Sequence, residues 1–179
     1  MNYQDILDFW FNPETQPLWF AKSDDFDGLI NQKFRDIHQQ AAQAELWSWR
    51  KTAEGRLAEI IVLDQFSRNL FRDQAQAFAQ DALALTLAQE AISLDLDEQL
   101  SPEQRAFLYM PFMHSESKFI HEFALKLFQR LGNPMNLDYE KMHKAIIDRF
   151  GRYPHRNQIL ARTSTAEELE FLTQPNSSF

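Results

Sequence analysis

Glycine is nearly absent from this chain, with four residues in 179. Tight hairpin turns need residues that accept positive φ, and glycine is the usual supplier. The one Asp-Gly pair, Asp27-Gly28, lies inside a helical pattern rather than between alternating apolar runs. No stretch shows the period-2 alternation of a strand. The chain is therefore expected to be all-α. A single compact domain spanning 1–179, of about eight to ten helices packed pairwise, suits its length and its 44% hydrophobic residues.

Helix punctuation divides the chain further. Ile6, Leu7, Trp10 and Phe11 share one side of a short helix over 3–11, which Asn12 and Pro13 end. Ser23 reads as an N-cap, with Asp24 and Asp25 in the favourable first turn of a helix reaching about residue 43. Thr52 caps a helix to about 70, and another covers about 79–93. Ser101-Pro102-Glu103 starts a helix that bends or ends near Pro111. The pattern resumes through Leu131 and stops at Gly132-Asn133-Pro134. Further helices are expected over about 137–150, ending at Gly151, and after the capping box Thr165-Ala-Glu-Glu168.

Several function classes fall away. The net charge of −8 and the pI near 5.1 leave no broad basic face for nucleic acid. No apolar run approaches a membrane span, and the acidic start MNYQDILDFWF does not resemble a signal peptide. With no cysteine, disulfides and zinc-thiolate sites are out, and a cytoplasmic location is expected. The phosphate-binding glycine loops, the Gly-x-Ser-x-Gly elbow and His-x-x-x-His are all missing. No metal and no cofactor are expected.

Three segments carry polar groups in apolar or strategic surroundings. In Arg56–Asn69 the apolar residues surround the helix axis, so the helix is buried. Asp64 falls on an apolar stripe and Arg68 lies one turn on, spaced to pair with it. In Ala106–Glu116, His114 projects among Phe107, Met110 and Pro111, with Ser115 and Glu116 following. In RFGRYPHRN, Arg149, Arg152, His155 and Arg156 concentrate positive charge beside Asn157, with no acid among them. Pro154 and His155-Arg156-Asn157 suit the first turn of a short helix, whose free N–H groups favour an anion. Two readings fit: an anion site, or arginines tied to carboxylates such as Asp64, Glu116 or Asp148.

LDQFSRNLFR (63–72), YMPFMHSES (109–117) and RFGRYPHRN (149–157), with ILDFWF, WFAKSDDFD and RTSTAEELEFL, resemble the bacterial domain of unknown function 924 family. The resemblance implies a fold similar to the tetratricopeptide-like superfamily, although no 34-residue repeat is visible. It implies no established activity. Ser67 departs from the family's pattern, which resembles Asp-Gln-Phe-Pro-Arg-Asn.

The expected function is a polar pocket for a small anionic ligand, with Arg68, Asn69, Arg149, Arg152, Arg156 and Asn157 binding. His114 or His155 would act as general acid or base, and Asp64 or Glu116 would orient it. The rival is a helical scaffold for a protein or peptide partner, with the same polar residues serving as structural glue.

Overall fold

A computed structural model describes residues 1–179 and contains helices and no strand. Nine α-helical segments occur: α1 Tyr3–Trp10, α2 Asp24–Ala42, α3 Ala53–Ile61, α4 Ser67–Leu70, α5 Asp81–Ser93, α6 Pro102–Met113, α7 Lys118–Leu131, α8 Pro134–Phe150 and α9 Ala166–Phe171. None is long and apolar enough to cross a membrane. The chain divides by contacts into two compact units: Met1–Arg72 with Gln76–Pro111, and Phe112–Phe179 with Asp73–Ala75.

In the first unit, caps fix the helix starts. Ser23 accepts a hydrogen bond from Phe26 N–H, and Thr52 from Gly55 N–H. Leu57, Ile60, Ile61, Val62, Leu63 and Phe66 are all fully buried, as expected for a helix apolar on every side. The helix is not uniform, however. Between α3 and α4 the backbone widens into a π-helical segment, Val62–Phe66, all of it buried. Aromatic rings pack around it: Phe34 stacks on Phe66 at 4.9 Å, and Trp10 meets Phe66 and Phe107 edge-on, each at 5.6 Å.

Gly55 sits where no side chain fits. A Cβ there would lie 2.0 Å from the Trp49 carbonyl oxygen. The 3₁₀ turn Trp47–Lys51 thus lies directly on the first turn of α3.

The second unit is built on α7 and α8. Gly132 ends α7 at φ +76, and Asn133 then caps α8, with Pro134 as its first residue. Gly132-Asn133-Pro134 reads as a stop, with the next helix expected from about 137. The same three residues also supply the next cap, so α8 begins at Pro134. Gly151 ends α8 at φ +70, and the 3₁₀ turn Pro154–Arg156 follows. Ile146, Ile147 and Tyr153 form the core, flanked by Phe150 and Phe171.

Candidate functional site

Two polar clusters contain the expected site residues, one in each unit. In the first, Asp64 is fully buried within the π-helical segment. Arg68 pairs with Asp64 at 3.1 Å, as the i, i+4 spacing predicts, and donates twice to Asp81, at 3.0 and 3.2 Å. Gln65 Nε2 donates to Asp64 Oδ2 at 2.5 Å. Asn69 donates to Asp27 at 2.8 Å, and Arg72 grips the same carboxylate with two bonds. Burial alone would raise the Asp27 pKa, but Arg72 and Asn69 outweigh it and lower it. These contacts bind helices to one another. A shallow open groove in this unit, lined by Leu7, Asp8, Phe11 and Gln104 among others, contains none of the expected residues.

The second cluster gathers around Tyr153. α6 ends at Met113, so His114 stands just past the helix rather than on its apolar face, and it is half-buried. Its carbonyl accepts from Arg156 Nη2 at 3.1 Å. The Arg156 guanidinium lies 4.7 Å from the centre of the Tyr153 ring. Glu116 accepts from Tyr153 N–H at 2.7 Å and from both ends of Arg162, at 2.7 and 2.9 Å. Burial opposes ionisation of Glu116, yet these donors bring its pKa below the usual value. Asn157, fully buried, accepts from Arg162 Nε and donates to Ser164.

The remaining arginines of RFGRYPHRN have carboxylate partners that the sequence reading did not name. Arg152 makes a two-pronged contact with Glu168, and Arg149 donates to Glu167 at 2.8 Å while lying over Phe150 and Phe171. Neither Asp148 nor Asp64 plays that part in these pairs. Asp148 instead binds Lys144 and, through its carbonyl, Lys118.

Sequence reasoning missed the centre of this cluster. His121, fully buried on α7, has Nδ1 2.8 Å from Glu140 Oε1 and Nε2 2.8 Å from the Ser115 carbonyl. A carbonyl cannot donate, so Nε2 carries its proton, and Glu140 and Nδ1 share one proton between them. Burial raises the Glu140 pKa, and its Oε2 has no partner. His143, on α8, donates from Nδ1 to the Tyr139 carbonyl at 2.7 Å, which leaves Nε2 as an acceptor. Burial pushes the His143 pKa down to about 3, and the positive fields of His114, His121 and His155 add to the shift.

Tyr153 lies edge-on to His121 and His143 and tilted against His155, with ring centres 5.7 to 6.4 Å away. Three of the chain's five histidines thus have their rings against Tyr153. His121 and His143 lie on different helices, 22 positions apart, so no local spacing betrays the cluster. No set of three or more His, Asp or Glu side chains is disposed to hold a metal ion. What the arrangement offers is imidazoles in contrasting environments, with His121 and His143 buried and His114 and His155 half-buried.

A family model described as bacterial protein of unknown function (DUF924) matches residues 6–176. The chain is similar to a solved structure, a protein of unknown function, ATU0120, from Agrobacterium tumefaciens. The two are 42% identical, with a TM-score of 0.89 over 95% of this chain and 96% of that one. No curated protein matches.

Proposed function

Because the chain belongs to the DUF924 family of bacterial proteins of unknown function, which carries no activity over to it, we propose from its own residues that the histidine cluster of the second unit binds a small anion and can exchange a proton with it. The observation that carries this reading is the convergence of the His121, His143 and His155 rings about Tyr153, with the Arg156 guanidinium over the same ring and donating to the His114 carbonyl. His114 and His155 are half-buried, so they combine access to solvent with a protein environment. They are the general acid or base of this proposal. Arg149 and Arg152 drop out of the anion-holding set, because each already engages a carboxylate of 167–168.

The test is a histidine-ring NMR titration with inorganic phosphate. Saturable shifts at His114 and His155, with their pKa values raised, are expected. If no histidine ring responds, the reading fails.

A second reading, a scaffold for a protein or peptide partner, is favoured by two exposed rings on α7. Phe119 and Phe123 are 69% and 44% exposed and pack edge-to-face at 5.0 Å. A stoichiometric partner recovered by the wild type and lost by Phe119→Ser would support it.

A further inference from the structure

We infer that Phe179 occupies the place of a planar aromatic ring belonging to the ligand, so that the cluster takes an aromatic acid and residues 173–179 form a strap that this acid displaces. The inference rests on the anion reading given above and narrows it to one chemical class.

The geometry has two parts. The Phe179 ring lies flat on the His143 imidazole, with centres 3.8 Å apart and planes at 24°, and meets His155 edge-on at 6.0 Å. One histidine therefore offers a face and another an edge. Together they form a slot for a flat ring, the arrangement in which aromatic pairs are attractive. An acid group carried on such a ring could accept a hydrogen bond from the His155 imidazole.

The second part is how lightly the strap is attached. Thr173 N–H and Oγ donate to Glu170, Gln174 N–H to Phe171, and Ser177 Oγ to Leu172. These bonds tie the strap to its own root at 170–172. Ser177 is buried, the other residues of 173–179 are exposed, and the Phe179 stack seats the end of the segment on the cluster. By contrast, the helix behind it is pinned by the Arg152–Glu168 pair. A segment with few buried contacts opens at low cost, whereas its root stays in place.

The experiment measures benzoate and inorganic phosphate binding to the full chain and to Phe179→Ala, by histidine-ring NMR and calorimetry. Phe179 is 48% exposed, so its truncation leaves the fold intact. Phe179→Ala is expected to bind benzoate about three- to tenfold more tightly than the wild type, the worth of one aromatic pair. Phosphate affinity should stay the same. If phosphate binds and benzoate gains nothing, or both anions gain equally, the aromatic slot is overturned and the anion reading stands. If neither anion binds either protein, both fall.

Discussion

Arg152 and Glu168 meet in two parallel hydrogen bonds, Nε to Oε1 at 2.6 Å and Nη2 to Oε2 at 2.7 Å, and the same carboxylate accepts the Thr165 N–H at 2.7 Å. One side chain thus closes the capping box of α9 and anchors RFGRYPHRN. Arg152 holds the Glu168 pKa down to about 2, with the Thr165 N–H contributing. A carboxyl depressed in the folded state stabilises it above the unfolded pKa, and the benefit is lost as pH falls through about 2. Glu168→Gln should therefore be less stable than the wild type at neutral pH, and the difference should vanish in strong acid. Urea denaturation across a pH series checks this. Thr165→Ala, which removes the cap alone, is expected to cost about 1 kcal/mol.

His143 is likewise held deprotonated, here as the neutral form, with the same outcome in acid. Its folded pKa, about 3, lies below the usual 6.5. Between those values the unfolded chain takes up a proton that the folded chain refuses. Stability should fall with pH across that window, by about 1.4 kcal/mol per unit at full slope. Glu140 on the same helix has a raised pKa and pulls the other way, and His114, His121 and His155 also face the site. The informative quantity is therefore the difference between the wild type and His143→Phe. Equal slopes between pH 3 and 6.5 would rule out a neutral buried His143.

Ser67 does more than fill the place where the family pattern resembles Pro. Its Oγ bonds to the Leu63 carbonyl and stands 2.7 Å from His38 Nε2, with both residues buried. Burial, followed by the Arg35 charge, lowers the His38 pKa, so the imidazole depends on that hydroxyl for a partner. Ser67→Ala is expected to cost about 1–3 kcal/mol, the price of an unsatisfied buried polar group. A thermal melt unchanged from the wild type would contradict this.

Gly55→Ala should be among the most damaging single changes, although alanine is the better helix former. The added carbon meets a backbone oxygen, which cannot rotate away as a side chain would. A loss of about 3 kcal/mol or more is expected by chemical denaturation. A stabilised variant would show that Trp47–Lys51 yields freely.

Caps and breakers made the helices legible. Ser23, Thr52 and Thr165 each announce a start, and Gly132 and Gly151 each announce an end. The Asp64–Arg68 pair was legible because it is local. Glu168 was read only as a capping residue, and nothing near it in sequence points to Arg152. His121 and His143 occupy ordinary core-facing positions, and only the packing of α7 and α8 gives them company. The widening at Val62–Phe66 leaves no trace, because residues buried on every side have the same sequence pattern in either helix type.

That widening gives the longest buried helix an unusual slack. A π turn is an α-helix holding one residue too many. Loss of a single residue from 62–66 would let the backbone close into plain α geometry, with α3 and α4 keeping the faces they now bury. Elsewhere in α3 the same deletion would rotate every later side chain by about 100°. The stretch that holds Asp64 is thus the place where this helix can change length without losing register, and the setting of the buried carboxylate is what such a deletion would alter.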